Sequence, residues 1–176
     1  KGTLTLSGIG TTPDIGSKDT PGWAPFLNEI KEVKVEEGIT RLGSRTFYKD
    51  TNIISVTFPE SLTEIGYNCF YGCKGLTEVT LPAGLKNVGN NMFQKCTGLK
   101  KASVGAAVSE AMFSGCSSLE TVQFNGTVSI GRSAFATCKA LKTIEIPDTV
   151  KEVGQFVFTG CTGLESAKTG ILAESM

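Results

Sequence analysis

A phenylalanine returns along this chain as Phe47, Phe70, Phe93, Phe113, Phe135 and Phe158, at spacings of 23, 23, 20, 22 and 23 residues. The residues around it return as well. Three positions later stand Asp50, Cys73, Cys96, Cys116, Cys138 and Cys161, and three further on Ile53, Leu76, Leu99, Leu119, Leu141 and Leu164. Val56, Val79, Ala102, Val122, Ile144 and Ala167 come next, followed two residues on by Phe58, Leu81, Val104, Phe124, Ile146 and Thr169. A short fixed period with the same apolar slots predicts a solenoid, because each unit has an apolar row that only its neighbour can cover. At strand spacing, about 4.8 Å, successive units form a parallel ladder over a continuous apolar column. Function then belongs to a surface, not to a pocket.

Each unit reads as two apolar stretches. One is L-x-x-V-x-L, a short strand with its apolar side inward. The other carries an aliphatic residue and then an aliphatic–Gly pair, at 42–43, 65–66, 88–89, 130–131 and 153–154. A glycine there implies either a positive φ or close approach of the next coil. The middle of the array departs from the pattern. Three residues are missing between Val104 and Phe113, Ser109 replaces the corner glycine, and Asn125 stands at the proline slot of the next unit. That predicts a narrower outer side there. The last unit fades at Ala167, Thr169 and Gly170, and 171–176 reads as a stub.

Residues 1–29 read differently, as an N-terminal capping segment ahead of an array at 30–176 with a degenerate last coil. Thr3-Leu4-Thr5-Leu6 alternates like a strand, and Trp23 reads as a plug on the first coil, with ligand stacking the alternative.

Composition narrows the function classes. The 176 residues hold 17 basic and 17 acidic side chains and no histidine. Zero net charge argues against a nucleic-acid binder and against electrostatic membrane binding. The absence of histidine removes Ser–His and Cys–His catalysis and histidine metal sites. No apolar run approaches the ~18 residues of a membrane span. Lys1 through Leu6 lacks a signal-peptide pattern, and without an initiator Met the chain reads as a mature form or a segment.

The slot cysteines Cys73, Cys96, Cys116, Cys138 and Cys161 read as a ladder of buried thiols, with Cys69 in a neighbouring small slot. Disulfides remain an alternative. A metal site fits poorly, because thiols in a line 20–23 residues apart cannot enclose a tetrahedral ion. No cofactor is expected. Asp50, in the cysteine slot, suits a hydrogen-bonding position near the end of the array.

The run Cys-x-x-Leu-x-x-Val-x-Leu-Pro-x-x-Leu-x-x-Ile-Gly-x-x-x-Phe, seen from Cys73 to Phe93 (with Val88 at the Ile slot) and from Cys138 to Phe158, closely resembles the BspA-like leucine-rich repeats. Gly2 through Gly8 with Pro21 and Trp23 is similar to the leader before such repeats. The resemblance spans about 30–169. It implies a leucine-rich-repeat solenoid, α/β-type, with mostly short parallel strands and irregular or short helical outer turns, in about six to seven coils of 20–23 residues. It also implies a bacterial protein, secreted or at the cell surface, that adheres to host proteins, glycans or other cells, and no shared catalytic residue.

In such solenoids the outward strand residues form the concave binding face. Here they are Glu32, Lys34, Ser55, Thr57, Glu78, Thr80, Lys101, Ser103, Thr121, Gln123, Thr143 and Glu145, continued by Ser166 and Lys168. The face is polar, short-chained and of mixed charge, without the aromatic and arginine anchors of protein hot spots. It reads either as a binding face for a host or neighbouring-cell protein or glycan, or as a solvated sheet on a spacer that displays another domain. Glu78 and Glu145 lie three coils apart, so no glycosidase-type acid pair is indicated. Tyr48, Tyr67 and Tyr71 form a small aromatic group near the outer corner. The expected protein is not an enzyme.

Overall fold

The computed structural model describes residues 2–169. It is a solenoid of parallel strands. One face carries β1 (Thr3–Leu6), β3 (Glu32–Val35), β5 (Ser55–Thr57), β7 (Glu78–Thr80), β9 (Lys101–Val104), β10 (Thr121–Phe124), β12 (Thr143–Ile146) and β14 (Ser166–Thr169). A second face carries the shorter β2 (Gly10–Thr11), β4 (Ile39–Leu42), β6 (Glu64–Ile65), β8 (Asn87–Val88), β11 (Ser129–Ile130) and β13 (Glu152–Val153). The outer side consists of turns and these short strands, with almost no helix among the described residues. The one helical piece among the described residues is the 3₁₀ turn Ala24–Phe26. The N-terminal segment supplies a strand to each face, since β1 pairs in parallel with β3 and β2 with β4.

The third side of each coil is the phenylalanine corner, and it holds the core. Phe47, Phe70, Phe93, Phe113 and Phe135 are fully buried. Successive rings from Phe47 to Phe158 stack at 5.1–5.8 Å between centroids with interplanar angles of 5–19°. Trp23 continues the stack, 5.6 Å from Phe47. At the other end Phe158 is half-buried, with no further ring above it. The corner backbone is its own ladder. The N–H groups of Phe47, Phe70, Phe93, Phe113 and Phe135 donate to carbonyls of the following coil, on Cys69, Met92, Met112, Ala134 and Val157, at 2.8–3.0 Å.

To aim those groups along the axis, the chain takes positive φ on both sides of every ring. Two residues before it are Arg45, Asn68, Asn91, Ala111, Ser133 and Phe156, and two after it Lys49, Gly72, Lys95, Gly115, Thr137 and Gly160. Most are not glycine, so left-handed backbone is held here at about 1–2 kcal/mol per residue, offset by the ladder and the buried column. The corner glycines have the other of the two expected reasons. Gly66 and Gly89 do not take a positive φ, and a Cβ on either would strike backbone of the preceding coil, at Ser44 and at Gly66–Tyr67.

The shortened coil behaves as its sequence implies. Between β8 and β11 the second face has no strand, and Val108 alone bridges to Ile130. Ser109, in the glycine slot, donates its hydroxyl to the carbonyl of Gly89 at 2.8 Å. In the last coil β14 still pairs with β12, but Ala167 is exposed. The expectations for Gly170 and 171–176 lie outside the described residues.

Truncation of a fully covered ring should cost far more than truncation of a terminal one. Phe93→Ala should lose roughly 3–5 kcal/mol in urea denaturation, and Phe158→Ala less than half of that.

Candidate functional site

Alternation along each strand sends one set of side chains inward and the other out. Val33, Val56, Val79, Ala102 and Ile144 are buried. All fourteen outward residues, from Glu32 and Lys34 to Ser166 and Lys168, are exposed or half-exposed on one face. Parallel register aligns them in two columns: Thr3–Glu32–Ser55, Glu78–Lys101–Thr121 and Thr143–Ser166 in one, and Thr5–Lys34–Thr57, Thr80–Ser103–Gln123 and Glu145–Lys168 in the other. Glu78 and Lys101 form an ion pair at 3.6 Å, with side chains 66% and 62% exposed. A pair so exposed contributes little to stability and costs little to separate. Lys34 pairs with Glu36 at 3.4 Å, and Asn125 donates to Ser103 Oγ at 2.7 Å.

The columns are broken twice. β5 and β7 are not paired, and neither are β10 and β12. Each break follows a coil whose final strand slot holds Phe58 or Phe124, where the others have Leu81, Val104, Ile146 and Thr169. Those rings are half-buried and meet the column edge-on, Phe58 against Phe70 at 5.8 Å and Phe124 against Phe135 at 6.2 Å. A ring too large for an aliphatic slot holds the next strand away. At the first break the face dips into a hollow lined by Ser55, Thr57, Phe58, Glu60, Glu78 and Thr80. Outward alternation alone does not bring in Phe58 or Glu60. Phe58 sits in an inward slot and Glu60 beyond the strand, and only the size of the ring signals the break.

The cysteine slot is a second ladder beside the rings. The thiols of Cys73, Cys96, Cys116, Cys138 and Cys161 donate to the carbonyls of Phe47, Phe70, Phe93, Phe113 and Phe135 at 3.0–3.3 Å. Each thiol thus reaches the ring residue one coil back. All six cysteines are free thiols, buried except for the half-buried Cys161. Burial pushes Cys69, Cys96 and Cys138 up to about 12, and Cys73 and Cys116 well above the ordinary thiol value. These are inert packing groups, not nucleophiles. Among the described residues no cluster of three or more Cys, Asp or Glu is placed to hold a metal ion.

Asp50 occupies this slot in the first ring coil, where the ring behind belongs to Trp23 and not to a phenylalanine of the repeat. Its Oδ1 accepts from the Asn52 N–H at 3.3 Å, while its buried Oδ2 has no partner. The hydrogen-bonding role expected of Asp50 is therefore only half met. Burial raises its pKa above the ordinary carboxylate value. It borders a small cavity between the 15–21 loop and the first ring corner, with Arg45, Tyr48 and Lys49 on the same wall.

Tyr48 and Tyr71 stack at 5.0 Å between centroids and 20° between planes. Arg45 lies over Tyr48 at 4.1 Å and Lys95 over Tyr71 at 5.6 Å. Tyr67 stands apart and exposed. The tyrosines are thus a partly packed pile with cations on it, which sequence spacing does not signal because Arg45 stands before its ring and Lys95 after another one, a coil away.

Parallel coils, one stacked ring per coil and a strand face of registered polar columns define a leucine-rich-repeat solenoid. The model of the BspA type leucine rich repeat region matches in six copies over residues 26–111 and 103–171, and the chain belongs to that bacterial family. The crystal structure of a leucine rich repeat protein from T. pallidum is similar in fold, with a TM-score of 0.56 and 18% identity over 88% of this chain and 86% of that one. A leucine rich cell surface protein from Faecalibacterium prausnitzii is more distant, with a TM-score of 0.43 and 18% identity over 83% of this chain and 62% of that one. The pneumococcal vaccine antigen PcpA gives a TM-score of 0.41 and 20% identity over 81% of this chain and 51% of its own. A search of curated proteins found no match.

Two measurements follow. The buried thiols have folded pKa values above the unfolded value of about 8.5. Their stabilising contribution is full below that pH and is lost as pH climbs toward about 12. The urea midpoint should fall above about pH 9, and without reductant all six thiols should react with a thiol reagent only after unfolding. Asp50 has the same sign at acid pH. Its raised folded pKa favours the fold most below the unfolded value of about 3.9 and disfavours it once the group ionises. Asp50→Asn should therefore raise stability at pH 7 by on the order of 1 kcal/mol, and the gain should vanish near pH 4 in paired thermal melts.

Proposed function

We propose that this chain is a non-enzymatic binding module of a secreted or cell-surface bacterial protein. It engages a host or neighbouring-cell protein or glycan through the strand face. The observation that supports this reading most is the pair of registered polar columns on a rigid ladder. A strand backbone holds the spacing of its side chains without being ordered at binding, and short Ser and Thr side chains lose little freedom there, so hydroxyls next to Glu78 and Lys101 suit many modest polar contacts. The dip at Phe58 adds an apolar floor to that face, flanked by carboxylates from Glu60 and Glu78. An aromatic surface beside carboxylates and hydroxyls suits a sugar ring or a peptide side chain.

The test is a binding screen of the folded chain against extracellular-matrix proteins and a glycan array, repeated with Glu78→Ala plus Lys101→Ala. The double substitution should lower affinity for a saturable ligand by about tenfold or more, a loss of ~1.4 kcal/mol. Stability should stay within about 0.5 kcal/mol, because both side chains are exposed. A blank screen with the fold intact, or a ligand indifferent to both substitutions, would sink this reading and favour a spacer that displays another domain.

A further inference from the structure

The zero net charge conceals a segregated surface. The ring corners, taken from three residues before each phenylalanine to five after, carry Arg45, Lys49, Lys74, Lys95, Arg132 and Lys139 against Asp50 and Glu110, of which Asp50 is buried, and the capping loop adds Asp19 beside the first corner. The opposite edge, where the strand face turns into the second face, is acidic, with Glu36, Glu37, Glu60, Glu64, Asp148 and Glu152 against Arg41, Lys86 and Lys151. Arg41 is itself neutralised by Asp14 and Glu64, each at 2.7 Å. Among the described residues, none of the corner cations takes part in an ion pair. Several are held in place by rings instead. Arg45 and Lys49 lie over Tyr48 at 4.1 and 5.1 Å, Lys95 over Tyr71 at 5.6 Å and Arg132 over Phe156 at 5.4 Å. A ring face orders a cation without cancelling its charge.

We infer that this edge is an anion-binding surface whose partner is a linear anionic polysaccharide, held by sulfate or carboxylate groups along the stack of coils. Three observations select that partner. The cations follow one narrow corner of the solenoid from coil to coil, at several positions of the turn and with Lys49 and Lys95 in the same slot, which fits a chain better than a broad globular surface. They are sparse: Lys49 and Lys95 are two coils apart, at ring spacings of 5.1 and 5.4 Å per coil. Duplex DNA, with a charge every ~1.7 Å, demands a denser basic face. Single-stranded nucleic acid needs open aromatic faces for base stacking, and here the faces of Tyr48 and Tyr71 are occupied by each other, by Arg45 and by Lys95. The surface differs from the strand face, so each survives loss of the other.

The test measures binding of the full chain to immobilised heparin, hyaluronan, neutral dextran and an oligo-dT strand between about 50 and 200 mM salt. Heparin should bind and weaken steeply with salt, and dextran should not bind. Hyaluronan binding as well would mean that carboxylates suffice, and heparin alone that sulfate is the group recognised. Lys49→Gln plus Lys95→Gln, both on exposed side chains, should lower affinity about tenfold or more. Lys86→Gln plus Lys151→Gln on the acidic edge should leave it unchanged, and matching melting curves establish that all variants are folded. Three results would overturn the inference: no binding to either anionic glycan at low salt, equal losses from both double substitutions, or oligo-dT binding as tight as either glycan.

Discussion

Ring-on-ring contact between coils is the interaction on which everything else in this molecule depends. A single coil has an apolar row and no means of covering it, so the row is buried only by the coil before and the coil after. A phenylalanine per coil suits this because flat rings stack offset at a spacing that a parallel strand ladder of about 4.8 Å tolerates. The observed centroid distances of 5.1–5.8 Å leave the rings slipped sideways. The backbone bends to serve the column. Left-handed residues on both sides of each ring, including the β-branched Thr137, turn the N–H groups toward the next coil, and the thiols reach back to the previous one. Rings, backbone and thiols thus join the same neighbours, so no coil can shift without breaking all three.

A column built this way has a problem at each end, and the two ends solve it differently. At the start, Trp23 lays a larger ring on Phe47, while its buried Nε1 lacks a partner. The first slot residue, Asp50, has Trp23 and not a phenylalanine of the repeat behind it. A carboxylate that accepts from Asn52 is a local answer, but its second oxygen is left unsatisfied. At the far end the column tapers. Phe158 and Cys161 are half-buried, and small residues such as Ala167 replace the larger strand residues.

The periodic part of this architecture was legible because a repeat makes its own comparison. Six ring positions and six slot positions identify the inward row, the strands and their outward columns without any partner information. What escaped were features in which a single coil differs in size or charge, not in class. Phe58 and Leu81 are both apolar and fill the same slot, yet the ring splits the ladder and the leucine does not. The glycine after Leu42 or Ile65 was readable as special, but whether it served φ or clearance depended on where the preceding coil passes, which only the packed structure reveals. The tally of 17 against 17 hid two oppositely charged edges, because a sum along the chain carries no direction. Arg45 and Lys49 come together only when the corner folds around Tyr48.

These differences divide the labour between the surfaces. The strand face has many short polar side chains and no large anchor, so any affinity there grows by addition, coil upon coil. The ring corner has few groups, but they are long, charged and fixed over aromatic rings, so their reach is set by screening, about 8 Å at physiological salt. A ligand on the first surface would be selected by contact and one on the second by charge. A ligand chain of the right sign would be drawn along the corner before any close fit is made, and the stacked column ties the two surfaces together, because the rings beneath the corner also carry the coils of the strand face across the breaks in its ladder.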